Sequence, residues 1–408
     1  MELQRHTLAN GIRLVHTGID APVAHCGIMV NAGTRDEKET EHGMAHFIEH
    51  VIFKGTNKRN VYRILNRLDN VGADLNAYTA KEETCIHASF LNRFYDRALE
   101  LIADIVFNPA FPEKELAKEK DVIIDEINSY KDNPSEKIYD DFEELVFDGH
   151  PIARNILGTV RIIKKFGKPQ ILNFIHENYH TDQMVISTVG KIEFGRFVRL
   201  VEKYFGGIVP NPLKVARTPF RGYRPQVRSV KKRTYQTHCM LGNIAYPYHD
   251  PRRITMALLN NVLGGPGMNS RLNLSVREKN GLAYTIESGY NAYSDTGIFS
   301  IYAGIENGTY DRALAVIMRE LRLLCEKPMG PQQLRMAKQQ LIGQLAITYE
   351  SNLTRMISMA KSILLIDNVE SLDQIGERIQ AVTSNDILEV ANEVLDSNRL
   401  SILTYLSK

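Results

Sequence analysis

The sequence has few cysteines and no long hydrophobic run. Its four cysteines, Cys26, Cys85, Cys239 and Cys325, are scattered along 408 residues and form no C-x-x-C pair. This spacing argues against a disulfide framework or a thiolate zinc site, and it suits a reducing cytoplasm. No segment approaches the roughly 18 apolar residues that a membrane span needs. The opening "MELQRHTLANGIRLVH" lacks the apolar core of a signal peptide, so we expect a cytoplasmic protein.

Charge is nearly balanced along the chain, with one local exception. The formal net charge is +2, which does not suggest binding to nucleic acid or to a membrane surface. No acidic residue lies between Lys203 and His249. Inside this stretch, residues 212–224 combine prolines with basic side chains and indicate an extended, solvated linker. A nucleic-acid patch would need aromatic side chains interleaved on a folded face, and this stretch does not provide them.

The two halves that flank this linker share a repeat. Residues 92–106 and 307–321 both contain the run Tyr-Asp-Arg-Ala-Leu, and 111–127 parallels 329–345 as a proline-bearing start followed by a helical pattern. The chain length fits two domains of about 200 residues. We therefore predict two homologous α+β domains, each an antiparallel-rich sheet packed with helices, in a clam-shell arrangement. Their predicted bounds are 1–211 and 225–408, joined by the basic, proline-rich linker 212–224.

The segment "HGMAHFIEHVIFKGT" at 42–56 carries a candidate metal motif. His46 and His50 are four positions apart, so on a helix both imidazoles project from one face and can reach one ion. Neutral imidazoles suit zinc, and a catalytic zinc usually has three protein ligands and a water. Glu49 could take a proton from that water without being a ligand. Because H-x-x-E-H arises by chance in roughly a few per cent of chains this long, the interpretation requires a third ligand.

A second predicted helix, "KEKDVIIDEINSY", offers that ligand. Glu119 and Glu126 are seven residues apart, which is two turns along one helical face. We predict that Glu126 is the third ligand and that Glu119 supports a ligand from behind. The alternative is that both are ordinary surface glutamates of a charged helix. The side chains expected to anchor this helix in the core are Val122, Ile123, Ile124 and Ile127.

The second half of the repeat keeps both helices without these polar groups. The residues that align with the three motif positions and the two glutamates are Leu258, Asn261, Val262, Ala337 and Gln344. Packing of the fold therefore does not require the polar set, which favours a functional role for it in the first half.

The motif and the later glutamate resemble the inverted-motif zinc peptidases of the pitrilysin-type (M16) family, which includes insulin-degrading enzyme and the mitochondrial processing peptidase. The resemblance covers nearly the whole chain. It is carried by "NAGTRDEKETEHGMAHFIEHVIFKGT", "GADLNAYTAKEETCIHASF" and "LGGPGMNSRLNLSVREKNGLAYTI". A chain with two repeats is similar to the short bacterial members and to the processing-peptidase subunits.

The resemblance implies a role for individual residues. It implies one zinc ion held by His46, His50 and Glu126, with Glu49 as the general base and Glu119 in a supporting role. It also implies that Asn76 and Ala77 belong to an edge strand that pairs with the substrate backbone. The remaining pair, Arg277 and Tyr284, is contributed by the second half and implied to stabilise the oxyanion.

One segment of three residues departs from the family pattern. Cys85, Ile86 and His87 follow "TAKEET" where tyrosine or another bulky residue is expected. We interpret His87 as a strand residue away from the metal. The departure therefore leaves open which substrate side chains are preferred, and it does not affect the expectation of catalysis. From the residues alone, "REKNGLAY" indicates a helix end, a cap at Gly281 and a new strand.

The function that follows is a zinc-dependent endopeptidase that cuts unfolded peptides inside an enclosed chamber. A homodimer is expected, because one chain carries both the zinc motif and the Arg277/Tyr284 pair. Two alternatives stay open. One is a processing-peptidase subunit in a heterodimer with a related chain. The acidic stretch 136–148 would favour basic peptides in that case, although a solvated helix face also explains it. The other is a non-catalytic scaffold subunit, whose hallmark is a broken zinc motif. We expect no nucleic-acid and no membrane partner.

Overall fold

A computed structural model describes residues Leu3–Ser407. The strands are β1 (Leu3–Thr7), β2 (Arg13–Gly18), β3 (Val23–Val30), β4 (Asp74–Thr79), β5 (Thr84–Leu91), β6 (Met184–Gly190), β7 (Val227–Lys232), β8 (Thr237–Ala245), β9 (Ala283–Ala292), β10 (Gly297–Ile305) and β11 (Ser401–Ser407). The helices are α1 (Met44–Val51), α2 (Val61–Asp69), α3 (Tyr95–Phe107), α4 (Glu113–Lys131), α5 (Pro134–Val146), α6 (Val160–Ile163), α7 (Lys168–Asn178), α8 (Phe194–Phe205), α9 (Arg253–Gly264), α10 (Tyr310–Glu326), α11 (Pro331–Tyr349), α12 (Asn352–Ile366), α13 (Leu372–Ala381) and α14 (Ser384–Val394).

The chain folds into two compact units, each assembled from three segments. Unit 1 consists of 3–128, 154–217 and 348–369, and unit 2 consists of 129–153, 218–347 and 370–407. The predicted domains are continuous segments and so differ from these units. The difference arises from two helices. α5 lies in the first half of the chain but buries apolar side chains on the sheet of unit 2, and α12 lies in the second half but buries apolar side chains on the sheet of unit 1.

Unit 1 contains a six-stranded sheet in the order β1-β2-β6-β3-β5-β4. Neighbouring strands are antiparallel, except for the parallel pair β2 and β6. Side chains of β3 and β5 alternate between the two faces, as the period of a strand requires. The paired residues Ile28 and Ile86 join the large core with α1 and α3, whereas the next pair, Met29 and Cys85, packs on the opposite face under α12. Strand β4 is left at the edge.

Unit 2 contains a five-stranded sheet in the order β7-β11-β8-β10-β9, with β7 and β11 as its parallel pair. One face packs against a core that includes Leu258 and Ile317 from the helices α9 and α10. The other face is covered by α5, whose Phe142 lies in one cluster with Met240 and Leu403. Strand β9 lies at the edge and occupies the same place in the order as β4 in unit 1.

Five strands of each sheet follow the same order and the same pattern of parallel and antiparallel pairs. The strands β2-β6-β3-β5-β4 of unit 1 correspond to β7-β11-β8-β10-β9 of unit 2. The predicted fold class, two α+β units built on antiparallel-rich sheets with packed helices, is confirmed. Within Leu3–Ser407, no helix combines the length and apolar character that crossing a membrane requires.

Candidate metal centre

Helix α1 carries the H-x-x-E-H motif and begins after a glycine in the left-handed region. Gly43 has a φ of +95°, and a Cβ there would lie 2.8 Å from the carbonyl oxygen of Leu157. The carboxylate of Glu37 accepts hydrogen bonds from the backbone N–H groups of Gly43 at 2.8 Å and Ala45 at 2.9 Å. These groups have no acceptor within the helix, so Glu37 satisfies them at the positive end of the helix dipole. Burial raises the pKa of Glu37 to about 8.

The motif residues divide between two faces of α1. Phe47, Ile48 and Val51 are buried in the core of unit 1 and fix the helix there. His46 and His50 lie side by side, with 4.6 Å between their ring centroids. Burial first, and then the neighbouring His50, lower the pKa of His46 to about 4. The His46 imidazole is therefore neutral at pH 7, which is the form that can bind a metal ion.

Glu126 of α4 completes a group of three potential ligands. Its Oε2 lies 3.9 Å from Nε2 of His46 and 3.5 Å from Nε2 of His50. The three ligand atoms lie within 4.8 Å of one another, and no other such group of His, Cys, Asp and Glu occurs within 3–407. The structure therefore brings together the three residues that the sequence assigned to one ion.

The anchoring of α4 differs in one residue from the prediction. Ile123 and Ile127 are buried, as expected, and Ile124 is half-buried. Val122 is 48% exposed, so its predicted place in the core is wrong. The four-residue spacing of buried positions explains this result, because Val122 lies about 100° around the helix from Ile123.

Glu119 lies behind His50 and is held there by a lysine. Oε2 of Glu119 is 3.4 Å from Nδ1 of His50, which leaves the Nε2 side of the ring directed towards Glu126. Nζ of Lys54 is 2.7 Å from Oε1 of Glu119. Such outer partners orient a ligating imidazole and raise its basicity. Sequence reasoning missed Lys54, although its position four residues after His50 was an available signal.

Glu49 lies on α1 between the two histidines in sequence and is not part of the ligand group. Burial raises the pKa of Glu49, while a hydrogen bond from Thr79 and the charge of His50 act in the opposite direction. Thr79 is the last residue of the edge strand β4. The general-base candidate therefore lies beside the end of the strand that was predicted to hold substrate.

Asn76 and Ala77 lie in β4, which is an edge strand as predicted. The backbone N–H of Ala77 donates to Oδ1 of Asn76 at 2.8 Å, so a side chain satisfies this edge amide. His87 lies opposite Asn76 in β5 and does not belong to the ligand group. Its interpretation as a strand residue outside the metal centre agrees with this position.

Arg277 and Tyr284 belong to unit 2. Arg277 lies in a π-helical turn, Asn273–Glu278, and its Nη1 is 3.5 Å from Oδ1 of Asn273. Gly281 has a φ of +60° and ends this turn, which confirms the predicted cap. Tyr284 lies in β9 at an irregularity of the pairing with β10. Its two neighbours, Ala283 and Thr285, pair with consecutive residues of β10, so Tyr284 itself is skipped in the pairing. Tyr284 is 69% exposed to solvent.

Two family models match consecutive parts of the chain. Residues 15–160 match the model described as Insulinase (Peptidase family M16). Residues 165–341 match the model described as Peptidase M16 inactive domain. The first match contains the whole ligand group, and the second contains Arg277 and Tyr284.

Similar proteins cover almost the full length of the chain. An uncharacterized zinc protease of Bacillus subtilis is 32% identical over 96% of this chain and 95% of its own length. One of Streptomyces coelicolor is 32% identical over 96% of this chain and 87% of its own. The crystal structure of a peptidase M16 inactive domain from Pseudomonas fluorescens has the same fold, with a TM-score of 0.93 at 20% identity over 100% of this chain and 98% of that one. A protease from Helicobacter pylori has a TM-score of 0.92 at 20% identity over 99% of both chains. The chain therefore belongs to the M16 family of peptidases.

Proposed function

We propose that the protein is a zinc-dependent endopeptidase that hydrolyses unfolded peptides. The observation that carries this proposal is the convergence of His46, His50 and Glu126, whose ligand atoms lie within 4.8 Å of one another. Relatives that share about a third of the sequence over nearly its whole length are named zinc proteases, which supports the same class of activity.

The residues of this group fit one zinc ion per chain. Two imidazoles and a carboxylate are a donor set of catalytic zinc sites, which keep a fourth position open. Nδ1 of His50 is engaged by Glu119, so Nε2 is the nitrogen left for a metal. Nδ1 of His46 is buried without a hydrogen-bond partner within 3–407, while Nε2 lies on the Glu126 side. When bound, zinc would polarise a peptide carbonyl as a Lewis acid and lower the pKa of a water molecule, so that the water can lose a proton and attack the carbonyl near neutral pH.

The reaction then depends on a proton carrier supplied by this chain. We propose that Glu49 accepts a proton from the attacking water and delivers it to the leaving amine, as a general base and then a general acid. Its carboxylate is half-buried beside the ligands and outside their group, which supports this role. Arg277 and Tyr284 are proposed to donate hydrogen bonds to the developing oxyanion.

The substrate is proposed to be an extended segment that adds to the edge strand β4. A substrate carbonyl could replace Asn76 Oδ1 as the acceptor of the Ala77 N–H, and this exchange would cost one local bond only. Strand addition requires an unfolded peptide, so we propose an enclosed site that excludes folded proteins. We further propose a cytoplasmic homodimer. A heterodimer of the processing-peptidase type is the alternative, and sedimentation of the purified chain alone separates the two.

Substitution separates the metal ligands from the base. Glu49→Gln is expected to keep about one zinc per chain and to abolish peptide hydrolysis, whereas His46→Ala should lose the metal as well. Asp125→Asn is the matched control, because Asp125 is exposed and adjoins Glu126 in sequence; it should keep both properties. Chelation should inactivate the protein and zinc should restore it. Full activity in Glu49→Gln would refute the assignment, and zinc binding without activity in the unaltered chain alone would support a processing-peptidase subunit that needs a partner.

A further inference from the structure

Unit 2 contains a cavity of about 260 Å³ between helix α5 and the sheet. Its floor is the face of the sheet on which Tyr302 pairs with Glu287 and Ser300 pairs with Gly289. A Cβ built at Gly289 would meet only Ser300 Oγ, at 3.8 Å, so the middle of the floor is open. The roof is formed by α5, including the acidic side chain of Glu143.

One wall of the cavity is aromatic and ends in a carboxylate. The rings of Tyr139 and Tyr302 are stacked, with 5.3 Å between their centroids and 29° between their planes. The hydroxyl of Tyr139 donates to Oε1 of Glu287 at 2.6 Å, which fixes that carboxylate beside the rings. Within Leu3–Ser407, Glu287 forms no ion pair with a basic side chain. Glu143 adds a second carboxylate and accepts a hydrogen bond from Tyr293 at 3.0 Å.

The chemistry of this lining selects among possible ligands. Two carboxylates oppose an anion, and the cavity residues form no metal-ligating group of three within 3–407. The volume is below the roughly 300–1,000 Å³ of pockets that enclose drug-sized molecules, so the occupant is about the size of one side chain. A cation that can also lie on aromatic rings satisfies both features of the wall.

We propose that this cavity binds a guanidinium group, such as that of an arginine side chain. A guanidinium is planar, stacks on aromatic rings and presents several N–H donors to carboxylates. An ammonium group is a more strongly hydrated point charge and stacks less well. The ligand is either a free guanidinium compound or an arginine side chain of a peptide. The proposal is independent of peptide hydrolysis, because it concerns binding within unit 2.

Binding of blocked arginine tests the proposal on the full-length chain. N-acetyl-arginine amide should bind with a dissociation constant on the order of 1 mM, measured by ligand-observed NMR. N-acetyl-norleucine amide, which keeps the apolar stem without charge, should bind at least tenfold more weakly. Agmatine provides the free-ligand arm: binding of both probes identifies the guanidinium group itself as the ligand, whereas binding of blocked arginine alone identifies a peptide side chain.

Two substitutions make the test specific to the cavity. Glu287→Gln removes the charge and keeps an acceptor for the Tyr139 hydroxyl, and it should weaken binding at least tenfold. Gly289→Val fills the open floor and should abolish binding, while Glu326→Gln, on the exposed end of α10, should leave it unchanged. The melting temperature of each variant reports that the fold is retained. Binding of N-acetyl-norleucine amide equal to that of N-acetyl-arginine amide, or unchanged binding in both cavity variants, would overturn the proposal.

Discussion

Removal of the Glu37 side chain is expected to destabilise unit 1 at the start of the motif helix. Glu37 is 3% exposed, and its carboxyl oxygens accept hydrogen bonds from the backbone N–H groups of Gly43 and Ala45. In Glu37→Ala both groups lose their acceptor in a place that water does not readily reach. Each unsatisfied buried donor costs about 1–3 kcal/mol, so the variant should lose roughly 3 kcal/mol of unfolding free energy. For a unit of roughly 200 residues this corresponds to a fall in melting temperature of about 6–12 °C.

The pH dependence of stability supplies a second measurement on the same residue. The pKa of Glu37 is raised from its ordinary value of 4.5 to about 8. Between these values the folded state keeps a proton that the unfolded state releases, so stability falls as pH rises from about 4.5 to about 8. Glu37→Gln cannot titrate. As pH rises through this range, the unaltered protein should therefore lose stability relative to this variant, by up to about 1.4 kcal/mol per pH unit.

Thermal and denaturant unfolding of Glu37→Ala, Glu37→Gln and the unaltered protein, at several pH values, measure both effects. Glu39→Gln is the matched control, because Glu39 is exposed and only two residues away; it should be neutral. A melting temperature of Glu37→Ala within 1 °C of the unaltered protein would refute the capping role. A pH-independent difference for Glu37→Gln would refute the raised pKa.

Three further predictions concern the metal centre, the start of its helix and the second unit. Glu119→Gln and Lys54→Met should each lower zinc affinity about 10–100-fold in a chelator competition assay. Unchanged affinity would show that these residues do not orient the His50 imidazole for the metal. Gly43→Ala should lower the free energy of unfolding by about 2 kcal/mol or more, because alanine rarely adopts the positive φ of this position and its Cβ would clash with a carbonyl oxygen. An unchanged free energy of unfolding in denaturant melts would contradict this reasoning. Tyr284→Phe should keep full zinc content and lower turnover about 10²–10³-fold, and turnover equal to that of the unaltered protein would count against oxyanion binding.

Local periodicity explains which features could be predicted from the sequence. The four-residue spacing of His46 and His50 places two imidazoles on one helical face wherever that helix packs. The spacing of Glu119 and Glu126 does the same on α4, and the glycine at Gly281 marks a helix end because it tolerates a positive φ. The repeat predicted two sheets of one topology. These features depend on residues close in sequence, so a pattern alone can specify them.

Contacts between distant segments could not be predicted in this way. The spacing from His50 places Lys54 on the same face of the chain, but nothing in the sequence indicates that it meets a glutamate 65 positions later, or that Glu37 caps α1. Likewise, the predicted continuous domains separate α5 and α12 from the sheets on which they pack, because an apolar helical stripe indicates burial without indicating which sheet covers it.

The sequence by itself determined the ligand types, their spacing and the duplicated α+β topology, because helical and strand periods act over a few residues. Only the tertiary structure decided which atoms converge. It brought the Glu126 carboxylate to the two imidazoles and formed a cavity between α5 and the sheet of unit 2. The physical reason is that such convergence depends on how apolar surfaces far apart in the chain pack together, and the hydrophobic effect that drives this packing is non-directional.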